Sequence, residues 1–301
     1  MDLFMIVLPA FIIFGSGYIA HKVLKFEIKS ISKMTLYLMT PFLAFDTFYS
    51  NTLNMDYFYI FIFSTLLVVL LASITVIIGK AGRADRTRIS AMLLGSVFPN
   101  SGNYGAPVVL FAFGSLAFDY AVIIMVIHAF LMNTIGIFIA TVGGKESATV
   151  KDALMKVCKM PVLYGALFGI LFQLIQLDIP STIMDGISLV GGASIPTVML
   201  ILGMQLAEVK LQKFQWDYTG TVTVIRMVAS PLLAVVLVSF MPVSDVIKTV
   251  FILLAAMPVA ANTTMIAVQF DVEPDLLSFT TLITTLLSLL TIPLALYFLG
   301  A

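Results

Sequence analysis

The chain holds one cysteine, Cys158, and only two histidines among its 301 residues. A single thiol excludes an internal disulfide framework, and without a Cys/His cluster there is no structural zinc site, so metal and redox chemistry are set aside. Charge is equally scarce. Charged residues make up 11% of the chain, and 16 Lys and Arg balance 16 Asp and Glu, which suggests neither a nucleic-acid footprint nor an acidic partner. Missing too is any Gly-x-Gly-Asp or Gly-x-Ser-Gly motif of the kind intramembrane hydrolases use, so no enzyme and no organic cofactor are implied.

What fills the chain instead is apolar. Hydrophobic residues reach 60% and the mean hydropathy is +1.10, too high for a soluble domain of this length. Ten apolar segments have roughly the 18 to 25 residues that a membrane-spanning helix needs. They cover 3–20, 32–50, 57–79, 89–113, 117–142, 161–179, 181–206, 218–240, 247–270 and 275–299. The opening MDLFMIVLPAF has no basic n-region and no small-residue cleavage site, and reads as a retained first span. Lysine and arginine then orient the chain. Lys22, Lys25, Lys29, Lys33, Lys80, Arg83, Arg86, Arg88, Lys145, Lys151, Lys156, Lys159, Lys210 and Lys213 all fall on one side of a ten-span arrangement, against Lys248 alone on the other. The positive-inside rule therefore expects a multi-pass protein of the cell membrane, with odd-numbered connections in the cytoplasm and both termini outside.

A basic loop at 143–160 divides the spans into two sets of five, residues 1–142 and 161–301. Because five is odd, the second set enters the membrane from the opposite side. Its punctuation repeats that of the first. Span 2 is interrupted at Thr40-Pro41 and span 7 at GGASIP, 191–196; span 4 is interrupted at FPNSGNYGAP, 98–107, and span 9 at MPVAAN, 257–262. Pro41 and Pro196 lie 155 positions apart, Pro99 and Pro258 lie 159 apart, and this near-constant offset indicates a duplicated unit with inverted topology. Taken alone, Pro41 reads as a kink.

Irregular backbone survives at membrane depth only where protein buries it or where it lines a wet cavity. Broken spans at matching positions of inverted halves are the best sequence pointer to a transporter's central site, since half-helix ends offer free amides to an anion and free carbonyls to a cation. Asn100, Ser101, Asn103, Asn262, Thr263 and Thr264 would supply further donors and acceptors. Ionisable residues inside spans are candidates by default. His128, near the middle of span 5, could carry a coupling proton or simply bond a neighbouring helix. Arg226, about eight residues into span 8, could pair with an acid or attract an anionic substrate. Asp46 and Asp185 sit near the outer ends of their spans, where solvation competes with a vestibule role. Gly165 and Gly169 form a GxxxG pair suited to close helix packing.

At these residues the sequence resembles the auxin efflux carrier family, which joins plant auxin exporters to microbial permeases for organic acids such as malate and malonate. Pro99-Asn100-Ser101 with Gly105-Ala106-Pro107 matches one motif; Pro258, with Val272-Glu273-Pro274-Asp275-Leu276-Leu277-Ser278, is similar to the family's ninth and tenth spans, and LILGMQLAEV, 200–209, to the end of its seventh. The resemblance covers the whole chain. It implies an all-α membrane fold of ten helices in two inverted five-helix repeats, with helices 4 and 9 broken where they cross, as in bile-acid symporters and NhaA. It also implies a scaffold domain and a crossover domain, each assembled from both repeats, and a homodimer through the scaffold. A substrate carboxylate would be held by Asn100, Asn103 and Asn262 with the exposed backbone around Ser101, Gly105, Pro107, Pro258 and Thr263. Thr263 stands where the plant carriers have a proline, and their long central loop is absent, which argues against auxin itself. The expected function is secondary active transport of a small organic anion by alternating access, coupled to H+ or Na+. The rival on the same fold, a cation/proton antiporter, generally needs a carboxylate at the crossover, and spans 4 and 9 contain none.

Overall fold

The computed structural model describes residues 3–144, 155, 158–208 and 216–300. Most of the basic 143–160 loop, together with Lys210 and Lys213, lies outside the described residues. Among the described residues every named element is helical: α1 (Leu3–Leu24), α2 (28–50), α3 (Met55–Ala81), α4 (Arg86–Val97), α5 (Ser101–Gly143), α6 (Pro161–Leu174), α7 (Ser181–Glu208), α8 (Trp216–Ser239), α9 (Asp245–Ala255), α10 (Ala261–Phe270) and α11 (Pro274–Leu299). Six of them, α1, α3, α5, α7, α8 and α11, are long and apolar enough to cross a membrane. Side-chain caps start several helices. Asn54 accepts from the Asp56 amide at 2.9 Å, and Asp85 accepts from the Arg88 amide at 2.8 Å. Within α5 the chain turns at Gly114, whose φ of 78° and ψ of −170° belong to a region open essentially to glycine. The long α5 thus has two arms, one leaving the segment before Ser101 and one carrying His128.

Four stretches wind as π-turns, 35–39, 101–105, 132–136 and 225–229. Three have the same origin. Pro41, Pro107 and Pro231 each follow two residues beyond a π-turn. A proline removes the amide that would bond four residues back and crowds that carbonyl, and widening the preceding turn relieves both. At the first of these, the Thr40 hydroxyl donates to the Thr35 carbonyl at 2.9 Å. Two expectations are corrected here. Span 2 is not interrupted at Thr40-Pro41 but widened, and α7 runs unbroken through 191–196. In α7 the bond that Pro196 cannot make would have reached Gly192, and one residue earlier the Ser194 hydroxyl donates to the Gly191 carbonyl at 2.6 Å.

Glycines let α1, α2, α6 and α7 approach backbone to backbone. A Cβ on Gly17 would strike the Leu200 carbonyl, one on Gly203 the Phe14 carbonyl, and one on Gly165 the Pro41 carbonyl; one on Gly169 would lie 2.7 Å from the Phe45 carbonyl oxygen. The GxxxG pair therefore packs α6 onto α2 as expected. Gln173 of α6 then closes the C-terminal end of α2. Its Nε2 donates to the carbonyls of Phe48, Tyr49 and Asn51, at 3.3, 3.0 and 2.6 Å, and its Oε1 accepts from the Leu53 amide at 3.1 Å. Gln173→Ala should cost about 2 kcal/mol, since part-buried carbonyls lose their donor, and a lowered thermal unfolding midpoint in detergent would measure it.

Candidate functional site

Helix α4 stops at Val97 because Phe98, which precedes a proline, is held extended at φ −102° and ψ 110°. The chain turns helical again only at Ser101. In the second half α9 stops at Ala255 and α10 starts at Ala261, with Pro258 between them. These two unwound segments run antiparallel, with Pro99 paired against Val259. The Asn100 amide donates to the Pro258 carbonyl at 2.8 Å and the Ala260 amide to the Phe98 carbonyl at 3.1 Å, while the Val259 amide donates to the Thr284 hydroxyl at 3.2 Å. Backbone groups that would be orphaned at membrane depth are thereby satisfied. Four helix ends converge at this crossing: the N-termini of α5 and α10, and the C-termini of α4 and α9.

Beside the crossing lies a cavity of about 530 Å³, within the range that holds small molecules. Asn100, Ser101, Asn103, Pro107, Asn262 and His128 all border it, from both halves of the chain. Asn100 is 4% exposed, and its Nδ2 has no hydrogen-bond partner. A buried donor without a partner is costly, so one facing a cavity is a natural place for a ligand acceptor. The Ser101 hydroxyl and His128 Nδ1 lie 2.6 Å apart, the direction of that bond following the imidazole tautomer. The remaining wall comes from α2, α6 and α7, through residues such as Tyr37, Thr40, Ser194 and Ile195.

Other expected site residues stand elsewhere. Gly105 does not border the cavity; a Cβ there would press on Leu254 and lie 3.1 Å from Met257, so it serves packing of α5 on α9. Pro258 is within the crossing and offers only its carbonyl. Thr263 is fully buried, with its hydroxyl donating to the Ala260 carbonyl at 2.7 Å. Asp46 accepts from the Ser50 hydroxyl at 3.4 Å and Asp185 is exposed; neither reaches the cavity. Arg226 is fully buried but makes no ion pair within the described residues. Its Nη1 donates to the carbonyls of Ser96 and Val97, each at 3.0 Å, and its Nη2 to the Ala255 carbonyl at 2.6 Å and to the Ser230 hydroxyl. Polar residues of the wall without a site role in the sequence analysis include Tyr37, Asn133, Lys159 and Gln269. Lys159 had counted only as loop charge; Asn133, five residues beyond His128 in a π-turn, breaks the 3.6-residue spacing that would have linked the two.

The cavity wall carries one lysine, one histidine and several amides, and no carboxylate among the described residues. Its chemistry suits an anion. A family model described as a membrane transport protein matches residues 2–296. The chain belongs to this family, that of the auxin efflux carriers. The transporter is also similar to two archaeal proteins named as uncharacterized transporters. One, from Methanothermobacter thermautotrophicus, is 28% identical over 213 residues, covering 70% of this chain and 68% of its own. The other, from Methanocaldococcus jannaschii, is 26% identical over 210 residues, covering 69% of this chain and 67% of its own. In this transporter, then, the broken helices and the amide-lined cavity lie together in a membrane transport protein.

Proposed function

We propose that the transporter carries a small organic anion, a carboxylate of the malate or malonate kind, across the cell membrane by alternating access. One observation carries this reading: amide donors from Asn100, Asn103 and Asn262 and the N-terminal ends of two half-helices border one cavity whose described lining has no acid. The same lack of an acid counts against the cation/proton antiporter. Helix pairs α4–α5 and α9–α10, each broken at a proline and crossing the other, support a ten-span fold of two inverted repeats, 1–142 and 161–301. Close glycine packing among α1, α2, α6 and α7 supports a scaffold against which the crossing helices move. With the basic loops in the cytoplasm, Lys159 and Gln269 lie at the cytoplasmic end of the cavity.

Uptake by proteoliposomes of acetate, malonate, malate and indole-3-acetate, with pH and sodium gradients imposed separately, tests this. Saturable accumulation of at least one acid is expected; no transport of any would refute it. If His128 carries the coupling proton, His128→Gln should remove the response of uptake to an imposed pH gradient while sparing substrate exchange. Gradient-driven uptake that persists in His128→Gln would assign His128 to packing.

A further inference from the structure

The buried Arg226 guanidinium is unusual in what it touches. Four of its five N–H groups are engaged, and every acceptor is neutral: the carbonyls of Ser96 and Val97, the Ala255 carbonyl, and the Ser230 hydroxyl. Its Nε has no partner, and no carboxylate lies within ion-pair distance among the described residues. The carbonyls belong to the last turns of α4 and α9, the two half-helices that end at the crossing. Ser230, one helical turn after Arg226, donates its own proton to the Ala255 carbonyl at 2.8 Å and so completes the contact.

Helix dipoles give this arrangement a sign. Each helix end carries about half an elementary charge, positive at the N-terminus and negative at the C-terminus. At a crossing of two broken helices, two positive and two negative ends meet, and by themselves they favour neither anion nor cation. Arg226 sits on both negative ends and cancels their sum of about one unit. The positive ends, at Ser101 and Ala261, are left uncompensated beside the cavity. The same contacts fill the carbonyl oxygens that an alkali cation would need as ligands.

We propose that Arg226 is the permanent cation of the crossing: a positioning residue that locks the ends of α4 and α9 together, takes the place of a coupling sodium ion, and gives the cavity its preference for anions. This rests on the anion-transport reading, and it assigns selectivity to a residue that does not touch the substrate.

The test uses the purified full-length chain and has two arms. In the first, the thermal unfolding midpoint of the unmodified protein is measured in NaCl, KCl and choline chloride at equal ionic strength, and uptake is measured with sodium replaced by choline. Equal midpoints and equal uptake are expected; stabilisation specific to sodium, or sodium-dependent uptake, would overturn the proposal. In the second, binding of malonate, malate and acetate is compared in Arg226→Lys and Arg226→Met. Loss of the charge should weaken the tightest of these by about tenfold or more in Arg226→Met, with Arg226→Lys retaining most of the affinity. Undiminished anion affinity in a folded Arg226→Met would equally overturn it. Should Arg226→Met not fold, Arg226→Ala prepared in millimolar guanidinium chloride should regain stability that choline chloride does not restore, and no difference between the two salts would count against the clamp. If the unmodified protein binds none of the acids, the anion reading fails, while the sodium arm still decides whether Arg226 replaces that ion.

Discussion

Asn100→Ala should weaken anion binding roughly ten- to hundredfold and leave the protein as stable as before. Most substitutions of a buried polar residue lower stability because they break a hydrogen bond. Here the Nδ2 donor has no bond to break, and the role of Asn100 in the crossing is carried by its backbone, whose amide meets Pro258 and whose carbonyl accepts from Gly105 at 2.9 Å. Alanine keeps both. The substrate loses a charge-assisted hydrogen bond of about 1.5–3 kcal/mol, which is roughly a ten- to hundredfold loss of affinity. Isothermal titration and thermal unfolding on the same preparation check the two halves of this result. A variant that binds normally would remove Asn100 from the site, and one that unfolds at much lower temperature would make it structural.

The second large effect falls far from the cavity. Gly203→Ala should cost about 3 kcal/mol or more, whereas Gly186→Ala on the same helix should be neutral or slightly stabilising. The added methyl at 203 meets backbone, the Phe14 carbonyl and the Tyr18 nitrogen at 2.9 Å, which no rotamer change can relieve. At 186 nothing stands within 4 Å. Since α1 can yield only by moving away from α7, Gly203→Ala should also cut the yield of monodisperse protein in detergent. Equal melting of the two variants would refute the close α1–α7 contact.

Much of this architecture could be read from composition and punctuation. Runs of apolar residues gave the helices, and the clustered Pro, Asn and Gly of 98–107 and 257–262 gave the two true breaks, because a proline with an extended residue before it ends a helix. The same residue misled at Pro41 and Pro196. A single proline removes one hydrogen bond, and a π-turn or an adjoining glycine absorbs that without unwinding, so proline alone does not mark a break. The partners of Arg226 were beyond reach for a different reason. Sequence suggests a carboxylate for a buried cation, but apart from the Ser230 hydroxyl one turn on, these acceptors are main-chain oxygens about 130 and 29 positions away, and a carbonyl leaves no mark in a sequence. Lys159 was hidden by company: among so many basic loop residues, nothing singles out the one beside the cavity.

The antiparallel contact between Pro99 and Val259 also bears on how the chain is made. The Phe98 carbonyl and the Asn100 amide are synthesised some 160 residues before the segment that satisfies them. Through that interval the first broken span waits with unpaired polar backbone, held only by its own neighbours, and the ends of α4 and α9 cannot share one guanidinium until Arg226 and Ala255 have both been inserted. Neither half of the molecule can therefore complete the crossing alone. A ribosome stalled before residue 255 should leave a chain that quality-control proteases recognise, and one released after α10 should leave a chain that they spare.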